Sequence, residues 1–135
     1  MSHWYVYHSQ KTMGYSYNSK AISCVYSKKA QPKLGIGDII WVIDGDESRK
    51  TNFVLADCFK SELPDHPPFA PEYREFKLKI PGISLMTSSP IDLSTSNAWF
   101  SDLHNKFITK QRFFEKLDGH NEITDGLLEI TGISI

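Results

Sequence analysis

Five histidines, His3, His8, His66, His104 and His120, are the side chains best suited to move a proton or hold a metal near neutral pH. No two of them have the H-E-x-x-H spacing of a zinc hydrolase. His120-Asn121-Glu122 is too short for a zinc or nuclease motif and reads as a polar turn after Gly119. No serine occupies a G-x-S-x-G elbow, and no glycine loop has Walker spacing. Leu34-Gly35-Ile36-Gly37-Asp38 feeds a strand rather than a helix, so it reads as a turn. Asp44-Gly45-Asp46-Glu47 starts like a calcium loop but lacks the later ligands. Lys11 and Asp57 are the one acid–base combination left for a hydrolase. The residues supply no complete catalytic set, and a binding module without cofactor or metal is expected, with catalysis left open.

Flat rings beside hydrogen-bonding groups are what the chain offers instead. Trp4, Tyr5, Tyr7, Tyr15, Tyr17, Trp41, Trp99 and Phe100 fall in three segments. Such rings suit stacking on a nucleobase, at about 1–3 kcal/mol per stack. Ser9, Gln10, Asn18, Ser88 and Asn97 could read a base edge. Lys11, Lys20, Lys28, Lys29 and Lys33, and further along Lys106, Lys110, Arg112 and Lys116, could hold a phosphate backbone. The net charge of -1 argues against a basic coat but permits a local basic face.

The elements that must position these groups follow from periodicity. Trp4 to Ser9 alternates as a strand, with Trp4, Val6 and His8 on one side and Tyr5, Tyr7 and Ser9 on the other. Gln10 to Asn18 reads as a polar loop, and Ala21 to Ser27 as a strand or a short helical turn. Ile39 to Ile43 and Phe53 to Phe59 read as an antiparallel hairpin across a polar turn. Pro64, Pro67, Pro68 and Pro71 mark an irregular connection. Glu75 to Ile80 alternates, with Phe76, Leu78 and Ile80 inward, and Gly82 and Pro90 break the region after it. Ser96 or Asn97 is expected to cap a helix over Ala98 to Phe107. Thr109 is expected to cap a second helix over Lys110 to Leu117, closed by Gly119. A weak helix follows Asn121.

The 135 residues therefore read as one α+β domain, residues 1–135, strand-rich over 1–90 with a helical tail over 91–135. Its expected form is a small curved sheet or barrel flanked by short helices. Cys24 and Cys58 are too few and too far apart for a thiolate zinc site and read as reduced core thiols. No apolar run approaches the ~20 residues that cross a bilayer, and no signal peptide is legible at the start. The expected location is cytoplasmic.

Three segments in this order resemble a known group. Trp4 to Ser9 resembles an opening strand of the form W-(aromatic or aliphatic)-x-x-S. Gly37-Asp38-Ile39-Ile40-Trp41 is similar to a Gly-Asp strand start, and Phe53-Val54-Leu55-Ala56 to the strand that follows it. Together they resemble the PUA-like superfamily, within it the EVE-like domains and the related ASCH and YTH domains, over about the first 60 residues. The resemblance implies a barrel-like sheet with helices packed around it. It also implies a nucleic-acid reader, most often of a modified cytosine in DNA, flipped into an aromatic cage and associated with restriction nucleases; other members act on RNA. By position it nominates His8, Ser9, Gln10, Tyr15, Tyr17 and Asn18 for the pocket, Trp41 as a wall and Trp99 as a closing ring. The alternatives are an ASCH-like hydrolase of modified nucleosides, an RNA-binding domain and a protein–protein adaptor.

Overall fold

A strand forms where alternate side chains can be buried on opposite faces, and the first half of the chain meets that condition repeatedly. A computed structural model describes residues 1–15, 17, 23–29, 33–46, 52–87, 89–94 and 97–135. The elements run β1 (His3–Ser9), a single helical turn α1 (Gln10–Met13), β2 (Ser23–Ser27), β3 (Ile39–Asp46), β4 (Asn52–Ser61), β5 (Leu78–Ser84), β6 (Ile91–Leu93), α2 (Ala98–Lys106), β7 (Phe114–Lys116) and α3 (Asn121–Thr131). Short 3-10 turns lie at Pro71–Tyr73 and Ile108–Lys110.

The strands form one mixed sheet in the order β2-β5-β4-β3-β1-β7. β1 and β3 are parallel, with Tyr5 beside Trp41 and His8 beside Asp44. The β3–β4 hairpin is antiparallel, as its sequence predicts. β4 divides its far edge, pairing β5 near Phe59 and β6 near Phe53. A bulge interrupts β3–β4 pairing: Val42 faces Asp57 and Ile43 faces Leu55, which leaves Ala56 as the extra residue.

The sheet is a strongly curled half-barrel. Its inner face buries Trp4, Val6, Val25, Val42, Ile80 and Phe114. These residues come from both ends of the strand order, so the sheet must curl to bring them into one cluster. At the seam, Lys29 just after β2 donates from Nζ to the Phe114 carbonyl of β7 at 3.4 Å. The outer face buries Tyr5, Trp41, Ile43 and Leu55 beneath Phe100 and Leu103 of α2 and Ile123 and Leu127 of α3. Each fully buried side chain of this size contributes about 1.5–3 kcal/mol.

The chain departs from the sequence reading in three places and settles a fourth. Gln10–Met13 forms a helical turn where a loop is expected. Of the two forms open to residues 21–27, Ser23–Ser27 takes the strand. β5 continues through Pro81 and Gly82 to Ser84. The helix expected from Thr109 does not form. Gln111, at φ 59, ends a short 3-10 turn, and the chain then extends into β7. The free edge of β1 decides this: Tyr7 N–H donates to the Phe113 carbonyl and Leu117 N–H to the His3 carbonyl, both at 2.8 Å. Those edge bonds, with burial of Phe114, outweigh the helix propensity of Lys110 to Leu117. The tail is consequently mixed, with β6 and β7 alongside its helices.

At the lower end of the half-barrel, Asp38 brackets the start of the chain. Its carboxylate accepts Ser2 N–H at 3.0 Å, Trp4 Nε1–H at 3.0 Å and Gly35 N–H at 2.9 Å. Burial opposes its charge, yet these donors hold the carboxyl below its ordinary value of 3.8. Nearby, Trp41 Nε1–H donates to His3 Nδ1 at 2.9 Å, and the two rings stack. That bond requires an unprotonated Nδ1. Burial lowers the His3 pKa from 6.5, against the pull of Asp118 and Asp38. A histidine lowered in this way contributes stability that is present above its unfolded value and is lost as pH falls below it. His3→Gln keeps an acceptor for Trp41 but cannot titrate. Urea unfolding between about pH 7 and pH 5 should show stability falling in the native protein and a shallower fall in the variant; equal slopes would remove His3 as the cause.

Candidate functional site

The opposite mouth of the half-barrel gathers polar groups at the ends of β1 and β3. His8 and Asp44 are register partners, so both side chains leave the sheet on its inner face. His8 Nδ1 lies 2.9 Å from Asp44 Oδ1, and Gln10 Nε2 donates to Asp44 Oδ2 at 3.0 Å. The carboxylate can only accept, so Nδ1 carries the proton and, in the neutral ring, Nε2 keeps the lone pair. α1 turns the chain immediately after Ser9 and thereby brings Gln10 back over the strand ends. The His8 ring meets Tyr15 at 5.3 Å and Tyr17 edge-on at 5.7 Å between centroids.

A second buried carboxylate holds this mouth together. Asp57 has no solvent exposure. Its Oδ2 accepts Tyr17 Oη–H at 2.8 Å and Ser23 Oγ–H at 2.7 Å. Its Oδ1 accepts Cys58 N–H at 2.9 Å and Ser84 Oγ–H at 2.7 Å. Four donors fill the lone-pair positions of one carboxylate. Asp57 is therefore committed to structure, which removes it from the acid–base role the sequence left open beside Lys11. Burial, then the Asp57 charge and hydrogen bond, push the Tyr17 hydroxyl well above its usual range, so Tyr17 stays a donor.

An aromatic rim continues outward. Tyr15, 44% exposed, shares a 2.6 Å hydrogen bond between its hydroxyl and that of Tyr73. Tyr73 stacks on Tyr26 at 4.1 Å, with planes 5° apart. The mouth thus presents the exposed Tyr15 ring and the half-buried Gln10 carboxamide above a buried imidazole and the buried Asp44 carboxylate. Asp44 accepts, among the described residues, the two bonds from His8 and Gln10, against four at Asp57. Among the described residues, no group of three potential metal ligands occurs.

Of the residues nominated from sequence, His8, Gln10, Tyr15 and Tyr17 come together here. Ser9 is buried, and strand alternation turns it to the other face. Trp41 is not a wall of this mouth: it is fully buried on the outer face with Tyr5 and Ile43, its N–H satisfied by His3. Trp99 is not a closing ring either. It packs on the helix side, edge-on to Phe100, and its indole covers Gly126 of α3. Asn18 and Lys20 lie outside the described residues, as does the Lys11 side chain. Lys28 sits 3.7 Å from Glu75, Lys29 reaches the β7 seam and lies 4.0 Å from Glu115, and Lys33 is exposed at φ 63. Lys28 and Lys29 are thus beside carboxylates rather than on a free cationic track.

Sequence reading missed the roles of Asp44, Asp57, Ser23, Ser84 and Tyr73. A signal existed for the first two. Asp44 closes the apolar run Ile39 to Ile43, and Asp57 interrupts Phe53 to Phe59. A carboxylate inside such a run must find donors or be expelled. The serines and Tyr73 meet their partners only in three dimensions. Cys24 and Cys58 are free, and burial pushes both thiols upward.

Two substitutions separate anchor from packing. Asp57→Ala strands buried hydroxyls and should lower unfolding stability by about 2–4 kcal/mol, whereas Ser84→Ala should cost about 1 kcal/mol. Equal, negligible losses in urea titrations would deny Asp57 its anchoring role. Gly126→Ala sets two effects against each other: alanine gains about 1 kcal/mol in helix propensity, but its methyl falls on the Trp99 indole. The clash should win, with a net loss of about 1–2 kcal/mol, and a stabilised variant would show that Trp99 can move aside.

Compared with family models, with curated proteins and with solved structures, the chain finds no match.

Proposed function

We propose that the protein is a nucleic-acid-binding module that takes a modified base, most simply a modified cytosine in DNA, flipped into the mouth beside β1. The observation that carries this reading is the meeting of His8, Gln10, Tyr15 and Tyr17 around the Asp44 carboxylate. Tyr15 offers an exposed ring for stacking. Asp44 offers an acceptor, and a carboxylate accepting from the cytosine N4 amine is a common base contact. A flipped base leaves its stack at a cost of a few kcal/mol, which ring contacts and edge bonds offset in part. The segment resemblance to EVE-like domains supports the same ligand class. DNA is favoured over RNA as partner, and a nuclease domain or subunit would fit a reader of this kind.

Fluorescent oligonucleotides with and without cytosine methylation or hydroxymethylation test the reading. The modified strand should bind more tightly at low salt. Tyr15→Ala should weaken it by about 1–3 kcal/mol, and Asp44→Asn should erase the preference for a base with an amine. Absence of binding to every strand at low salt would sink the reading.

One observation favours a second reading, an ASCH-like hydrolase of modified nucleosides. The Asp44-oriented His8 leaves Nε2 as a base at the same mouth, an arrangement suited to activating water. Release of acetate and cytidine from an N4-acetylated cytidine, lost in His8→Gln, would establish it. Binding without turnover would leave the reader alone.

A further inference from the structure

His8 and Asp44 sit at the mouth, yet both are covered: His8 is 9% exposed and Asp44 4%. A ligand that reaches either must displace something. Among the described residues, two tyrosine rings meet the imidazole, Tyr15 at 5.3 Å and Tyr17 at 5.7 Å between centroids. They are held very differently. Tyr17 is half-buried, and its hydroxyl is one of the four donors to the buried Asp57. Moving it would leave a carboxylate without solvent exposure short of a donor. Tyr15 is 44% exposed, and its hydroxyl is held by the Tyr73 hydroxyl at 2.6 Å, at the surface.

The backbone beside Tyr15 has room to turn. α1 closes where Gly14 N–H donates to the Gln10 carbonyl at 2.8 Å. Gly14 takes φ +81, and no atom lies within 4 Å of the place a Cβ would occupy. A glycine in open space, between a closed helical turn and the ring, changes its φ and ψ without collision, as hinge residues do. The other end of the hydroxyl bond is fixed, because Tyr73 stacks on Tyr26 at 4.1 Å and lies beside the buried Phe76. Tyr15 is therefore the part that moves. One hydroxyl–hydroxyl bond favours its closed position by about two- to tenfold.

We propose that Tyr15 is a gate over the His8–Asp44 pair, swinging about Gly14 and latched shut by the Tyr73 hydroxyl. Opening uncovers the imidazole and turns the Tyr15 ring from His8 toward whatever enters. The gate stands on this geometry alone; only its effect on oligonucleotide affinity rests on the modified-base reading.

The test is acylation of histidines by diethyl pyrocarbonate, followed residue by residue by peptide mass spectrometry. Exposed His66 serves as the reference, and half-buried His3, at the far end of β1, as the control for general loosening. His8 should react far more slowly than His66. Tyr73→Phe keeps a ring on Tyr26 but removes the latch, and should speed His8 about two- to tenfold. Tyr15→Phe should do the same, and the double variant no more, since both remove one bond. Tyr15→Ala should speed His8 further, with His3 and His66 unchanged. The proposal is overturned if His8 of the native chain reacts as fast as His66, if Tyr15→Ala or Tyr73→Phe leaves its rate unchanged, or if His3 accelerates alongside it. Tyr73→Phe should also tighten a modified oligonucleotide by about the factor seen in acylation. Binding that does not tighten would overturn the gate as the entrance. Faster acylation with no oligonucleotide binding would uphold the gate and reject the modified-base reading.

Discussion

The Asp57 carboxylate is the constraint on which the upper half of the molecule depends. A carboxylate without solvent exposure is costly by several kcal/mol unless donors surround it. Its donors come from β2, β5, the following amide of β4 and Tyr17, so one group ties strands that the sheet would otherwise join only pairwise. The β4 bulge makes this possible. By inserting Ala56, it shifts Asp57 into register with Val42, at the place where the far edge of β4 passes from β5 to β6. Ladder bonds are interrupted there, and the carboxylate provides substitute acceptors.

Asp57 also determines what Asp44 is able to do. Tyr17, held by Asp57, stands edge-on to His8, while Asp44 fixes the same ring through Nδ1. The imidazole is therefore constrained from two sides by two carboxylates with different duties. One is saturated and builds the wall. The other, itself buried, accepts two bonds among the described residues and orients the ring. Such division of labour between acids of the same type arises from donor supply alone, since nothing in either carboxyl differs chemically.

The parts of this arrangement that could be read from sequence are those set by local periodicity. Alternation placed Trp4, Val6 and His8 opposite Tyr5 and Tyr7, and the structure separates them in that way between two cores. The apolar runs around Trp41 and Leu55 announced the hairpin. What sequence could not supply was the direction from which partners arrive. Trp41 looks like a pocket wall in isolation, but helices α2 and α3 cover its face, and Trp99 becomes helix packing because Gly126 lies opposite it. The segment after Thr109 has helical composition, yet the unpaired edge of β1 draws it into β7. Each of these outcomes depends on a contact distant in sequence, where propensity gives way to burial and edge pairing.

β1 shows how far one strand can carry such distinctions. Strand alternation sends His8 to the inner mouth and Tyr7 into the outer core, although the two are adjacent in sequence. The parallel partner β3 then supplies a carboxylate to one and a glycine to the other: Asp44 binds His8, and Gly45 leaves room for the Tyr7 ring, which a Cβ there would strike. The aromatic crowding at the start of the chain thus serves two faces at once. A one-residue slip of β1 against β3 would exchange them, placing the His8 imidazole in the apolar outer core and the Tyr7 phenol in the polar mouth. Pairing of His8 with Asp44 is consequently a register lock as well as a site, because neither group could be buried in any neighbouring alignment without losing its partner.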